Sequence, residues 1–160
     1  MQDKAALIRC ESYDQQEVDR AVAQAFALAG GLEQWIKPGM TVAIKANLLM
    51  KKKPEAFTTT HPAVIEAVAK QVRALGASAV IGDSPGGPFT PALVHGVYRA
   101  CGMERAAENA GAVLNEDFEQ VTVYEENSVV LRQMQLCRYL TQADAVIDCA
   151  KLKTHGLTRY

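Results

Sequence analysis

The chain has 160 residues, 49% of them hydrophobic, enough to bury one domain-sized core without disulfides or a structural metal. Its 17 basic and 18 acidic residues leave a net charge of −1, and the one basic run, Lys51-Lys52-Lys53, reads as a solvated loop rather than a nucleic-acid contact. No apolar stretch reaches the roughly 20 residues of a membrane span, and no signal-peptide order stands at the N-terminus, so the expectation is a cytoplasmic protein with neither nucleic-acid nor membrane partners.

In chain order, 5–10 reads as a first strand. Asp14, with Glu17 three residues on, signals a helix start, and Tyr13 is placed to pack on Val18 as a hydrophobic staple. Val18, Val22 and Phe26 carry that helix to Gly30-Gly31, and 32–36 forms a short helical turn. The apolar run 41–46 is the pattern of a strand covered on both faces. A polar loop follows to about residue 60. Pro62 then opens a helix whose Val64, Ile65, Val68, Val72 and Leu75 face inward, and Gly76 closes it. Residues 78–82 form another buried strand. Thr90-Pro91 starts a helix with Leu93, Val94, Val97 and Cys101 inside, and 104–110 is a further short helix.

Beyond Gly111 the strands shorten: 112–115, 120–124 and 129–136, the last two joined as a hairpin. A turn of helix at 141–143 precedes a core strand at 144–149. Strand alternating with helix gives a mainly parallel α/β sheet with flanking helices and a short antiparallel hairpin near 120–136. The whole is read as a single α/β domain over 1–160, the N-terminal part of a larger one, because the helix expected to cover the last strand is missing.

Four cysteines stand far apart, and none forms a C-x-x-C pair, so no zinc site or iron–sulfur cluster is encoded within these residues. Cys10, Cys101 and Cys149 lie in apolar segments and are expected to be buried thiols. Cys137 is read as buried or partly exposed.

Ligands of open α/β sheets bind outside the carboxyl ends of the strands, and three strand exits here are unusually polar. The first carries Lys45 and Asn47, with Thr60 and His61 before the next helix. Lys45 reads either as a ligand contact or as a lysine snorkelling to the sheet rim. Asn47 is a ligand contact or a turn former. Thr60 and His61 are helix caps or, at a helix N-terminus, part of an anion site in which His61 also serves as donor or metal ligand.

The second exit, Gly82-Asp83-Ser84-Pro85-Gly86-Gly87, matches neither the Walker pattern nor G-x-G-x-x-G. Its glycines let backbone N–H groups approach a ligand. Asp83 would orient a cation or ligand hydroxyl, or cap the turn. The third exit sets Lys151, Lys153, Thr154 and His155 after a core strand, donors suited to phosphate or carboxylate, with His155 also able to exchange protons near neutral pH. His95 reads as a packing or surface residue. The ligand-binding candidates are therefore Lys45, Asn47, Thr60, Ser84, Gly86, Lys151, Lys153 and Thr154. His61, Asp83 and His155 are the catalytic candidates, with His61 and Asp83 also candidate metal ligands.

Lys45-Ala46-Asn47-Leu48, Thr59-Thr60-His61-Pro62, Gly82-Asp83-Ser84-Pro85-Gly86 and Lys151-Leu152-Lys153-Thr154-His155 resemble, in order and spacing, the blocks of the microbial family known as domain of unknown function 362. One departure is Ala46, where the family more often has proline. The resemblance implies a chain that resembles only the N-terminal part of its relatives. It also implies a frequent link to a ferredoxin-like domain, in cis or in trans, with 4Fe-4S clusters encoded beyond residue 160. A remoter similarity of fold style to the N-terminal domain of nickel-pincer lactate racemases hints at metal-assisted chemistry on small acids. The reading is a ligand-binding or catalytic domain of an iron–sulfur-associated redox protein that takes a small anionic ligand. The alternatives are a non-enzymatic scaffold or electron-transfer docking module, and an inactive fragment.

Overall fold

The computed structural model describes residues 5–155. Its centre is a four-stranded parallel sheet in the order β3-β2-β1-β6, from β1 (Thr41–Ala46), β2 (Ser78–Gly82), β3 (Val113–Leu114) and β6 (Ala145–Cys149). A separate antiparallel pair, β4 (Gln120–Tyr124) and β5 (Gln133–Cys137), supplies the expected hairpin. The helices are α1 (Gln15–Leu28), α2 (Pro62–Ala74), α3 (Pro91–Ala100), α4 (Met103–Ala110) and α5 (Arg138–Gln142).

The period of two along β1 decides what each face of the sheet does. Val42, Ile44 and Ala46 point into the main core, where they meet Ile65, Val68, Ala69 and Val72 of α2 together with Val94, Val97 and Met103. Ala43 points to the other face, which is closed by Cys137 of β5 and Tyr139 of α5. Burial on both sides explains why β1 reads as a nearly continuous apolar run, broken by Lys45 near its end. Strand β6 is different: Ala145, Ile147 and Cys149 pack on the main core, whereas Val146 is 50% exposed and Asp148 is open to solvent.

Local chemistry sets the helix starts. Asp14 accepts hydrogen bonds from the N–H groups of Gln16 and Glu17, and Glu17 reaches back to the Glu11 N–H and the Ser12 hydroxyl. Tyr13 stacks on His61 with ring centroids 3.7 Å apart, tying the entry of α1 to that of α2. Farther along, Lys70 bridges Asp19 of α1 and the buried Glu66 of α2 at 2.8 and 2.7 Å, and Asn109 of α4 donates to Glu66 at 2.9 Å. The three helices are thus pinned by one polar cluster as well as by apolar packing.

Three sequence expectations are corrected. No strand forms over 5–10: the segment runs beside α1 and the end of β6, bordering a cavity of about 840 Å³, instead of along a strand edge. A strand exists only through its ladder, and without one Leu7 stands 99% exposed. Cys10 is accordingly exposed rather than buried, while Cys101 and Cys137 are buried. The strand expected from 129 starts at Gln133 instead, because Val129, Val130 and Leu131 face no second layer and lie at the surface as the hairpin loop.

Candidate functional site

The carboxyl ends of β1, β2 and β6 are joined by hydrogen bonds between residues far apart in sequence. The Thr60 N–H donates to the Asn47 carbonyl at 2.9 Å, and its hydroxyl accepts from the Asn47 N–H at 3.1 Å. The same hydroxyl donates to the carbonyl of Cys149, at the end of β6, at 2.6 Å. Asp83, leaving β2, accepts the Leu48 N–H at 2.6 Å, and the Gly86 N–H donates to Leu49 O at 2.8 Å. Thr60 and Asp83 are both buried. Each satisfies backbone groups that leave a strand without a ladder partner, and together they hold the first two exits in one shape.

Lys45 occupies the middle of this edge. Its position in the Ala43–Lys45 alternation turns it to the face away from α2, in parallel register with Asp148 of β6. Its ammonium lies 3.7 Å from Asp83 Oδ1 and 3.7 Å from Asp148 Oδ1, with the Ala46 carbonyl at 3.4 Å. The two carboxylates are unequal: the Asp83 side chain is 7% exposed and that of Asp148 58%. Burial pushes the Asp83 carboxyl above the ordinary aspartate range, opposed by the Leu48 N–H and by the charge of Lys45.

The wall next to this cluster comes from elements of no evident polarity. Tyr139 of α5 lies directly over Gly82, where a Cβ would stand 2.8 Å from the ring. Tyr98 of α3 is fully buried, and its hydroxyl reaches Asn115 O at 3.4 Å. Burial raises both phenols above the ordinary tyrosine range, so they are neutral donors at every physiological pH. Burial also raises the Cys137 thiol, against the pull of Ser84 beside it, and pushes Cys149 up to about 12. Neither thiol is an activated nucleophile.

Sequence reasoning missed Asp148, Tyr98, Tyr139 and Cys137 as neighbours of Lys45 and Asp83. For Asp148 the signal was present, as a charge on the polar phase of an apolar strand, like Lys45 itself. Tyr98 stands four residues after Val94, on the inner stripe of α3. Tyr139 had no local signal, since its depth is set by a glycine in another strand.

Other candidates lie elsewhere. His61 caps α2, its Nδ1 accepting the Ala63 N–H at 3.2 Å, so the neutral ring carries its proton on Nε2. Burial, and then the charge of Lys151, lower its pKa. Lys151 Nζ stands 3.4 Å from the hydroxyl of Tyr13, the ring stacked on His61. His61 and Lys151 therefore form a second cluster, around the starts of α1 and α2. Ser84 and Gly86 are exposed, and Gly86 faces a slot shared with Met50, Lys51, Lys52, Leu93 and Val97. Lys153 is half-buried, and Thr154 and His155 are exposed. Among the described residues, no group of three or more histidine, cysteine, aspartate or glutamate side chains gathers as a metal site. His95, read as packing or surface, pairs with Glu116 at 2.8 Å and meets Phe118 edge-on.

The chain is similar, at 28% identity over 164 residues, to a thylakoid-associated protein of Synechocystis sp. (strain ATCC 27184 / PCC 6803 / Kazusa). The match covers 98% of this chain and 47% of that relative, so the chain spans about half of the relative's length. No helix among the described residues is long and apolar enough to cross a membrane. No solved structure matches. The family described as Domain of unknown function (DUF362) matches residues 42–160, which takes in all four motif blocks and both sheets but for Thr41, the first residue of β1, and the chain belongs to that family.

Proposed function

We propose that the carboxyl edge of the parallel sheet, centred on Lys45, binds a small anionic ligand, and that this chain is the ligand-binding or catalytic part of an iron–sulfur-associated redox protein. The observation that carries the reading is the unequal pair of carboxylates on Lys45, one buried and one exposed, both at 3.7 Å. Buried Asp83 keeps the ammonium aimed along the edge. Exposed Asp148 occupies the side from which a ligand carboxylate or phosphate would arrive and is the partner that such a ligand displaces.

Asn47 and Thr60 shape the floor through their backbone and hydroxyl bonds, Ser84, Lys153, Thr154 and His155 supply further donors from the neighbouring exits, and Lys151 adds a charge from the cluster around His61. Asp83, His155 and the Nε2 of His61 are the groups suited to move a proton or to meet a metal brought in with the ligand. Electrons would come from 4Fe-4S clusters on a ferredoxin-like domain in cis or in trans, since the four cysteines here are dispersed. The Synechocystis relative is named as thylakoid-associated, which is in keeping with a role beside a thylakoid.

The test is isothermal titration of the anaerobically purified protein with orthophosphate and malonate. Lys45→Met should abolish binding, whereas Asp148→Asn, by removing the competing carboxylate, should tighten it. Binding that ignores both substitutions would overturn the site. Iron and sulfide analysis of the longest native form tests the redox assignment separately, and protein free of both would remove it.

A further inference from the structure

Gly96 lies in the middle of α3, where a glycine costs about 0.5–1 kcal/mol relative to alanine. Its φ is not in the left-handed region, so backbone conformation does not require it. The side chain of Lys51 crosses the helix at this point, and a Cβ at Gly96 would meet its Cε and Nζ, the flexible end of an exposed lysine that can swing aside. Among the described residues, no ion pair involves Lys51, Lys52 or Lys53. Lys51 and Lys52 are exposed and open to a ligand.

Beside them lies a slot of about 460 Å³ bounded by Met50, Lys51, Lys52, Gly86, Leu93 and Val97. The volume is in the range of small-molecule sites. Met50, Leu93 and Val97 of its lining are apolar, and Lys51 and Lys52 bring two positive charges to it. The slot is also braced: the Gly86 N–H to Leu49 O bond joins the two loops that form it, and the Met50 carbonyl stands 3.6 Å from the Cys101 thiol of the α3 C-cap. A free phosphate would leave the apolar walls unused, and a neutral hydrocarbon would leave the lysines unused.

We propose that this slot is a second binding site, distinct from the edge around Lys45, for a short aliphatic chain bearing a phosphate or carboxylate head. The head pairs with Lys51 and Lys52, and the chain lies against Leu93 and Val97.

Decyl phosphate, titrated below its micellar concentration, tests this against decanol and orthophosphate as tail-only and head-only probes. Decyl phosphate should bind at least about tenfold tighter than either, a difference of roughly 1.4 kcal/mol. The double substitution Lys51→Met, Lys52→Met should remove that advantage. Decyl phosphate binding no better than decanol, or unchanged in the lysine double variant, would overturn the site. Co-sedimentation with phosphatidylcholine–phosphatidylglycerol vesicles, in the absence of decyl phosphate binding, would overturn the soluble ligand in favour of a membrane surface.

Discussion

The exits of β1 and β2 and the exit of β6 are written in similar residues, threonine, lysine, histidine and aspartate near a strand end, yet they do different work. At β1 and β2 the polar side chains are spent on backbone: Thr60 on Asn47 and Cys149, Asp83 on Leu48, His61 on Ala63. At β6, Lys153 is half-buried, Thr154 and His155 are exposed, and Lys151 reaches the Tyr13 hydroxyl. A motif rich in donors can thus be a brace or a hand. What separates them is burial, because a buried polar group must be satisfied at once by the protein itself.

The contrast breaks most visibly at Asp83. Asp83→Ala leaves the buried Leu48 N–H without an acceptor and should cost about 2 kcal/mol in urea unfolding. Asp83→Asn keeps an acceptor there and should cost less than about 1 kcal/mol; equal losses would show that the brace is not the Leu48 bond. Because burial raises the folded-state pKa, the folded protein takes up the Asp83 proton more readily than the unfolded chain. Wild type should therefore gain stability relative to Asp83→Asn as pH falls through that pKa towards about 4, the unfolded value, and carry the full cost of the buried charge above it.

Thr60→Val comes next, at about 1 kcal/mol, with Thr60→Ser recovering most of it. A smaller effect is expected at His61, whose lowered pKa means that the unfolded chain binds the proton more readily. Its cap is fully present above about pH 6.5 and is lost as pH falls through the lower, folded value. Urea midpoints at mildly alkaline and mildly acidic pH should diverge between wild type and His61→Asn, an uncharged cap. At the far end of the scale, Lys153→Ala and His155→Ala should change stability by no more than about 0.5 kcal/mol while weakening anion binding. A large stability loss there would make the third exit another brace.

The parallel sheet, its helices and the hairpin were legible because each rests on a local rule: the apolar run of β1, the Asp14 cap, Pro62 at a first helical position. The parallel sheet also sets the three strand exits on one edge, although His61 and Lys151 gather apart from Lys45. Which residues touch Lys45 was not legible. Asp148 lies 103 residues away and becomes a neighbour only through parallel register, and Tyr139 arrives on an element whose placement depends on how the hairpin docks. The reading of 5–10 as a strand failed for the complementary reason, since apolar residues announce willingness to pair and say nothing about whether an edge is within reach.

The contact between Tyr139 and Gly82 extends past local packing. The hairpin and α5 close their face of the sheet through Cys137 and Tyr139, and the ring comes to rest where residue 82 has no side chain. A missing methyl group thereby works as a depth stop for the whole antiparallel module. Adding that methyl with Gly82→Ala would lift the lid over Asp83 and Lys45 without altering one charge or hydrogen-bonding side chain. The roominess of the site is in this sense tuned from beneath, by the one residue type that leaves nothing in the way.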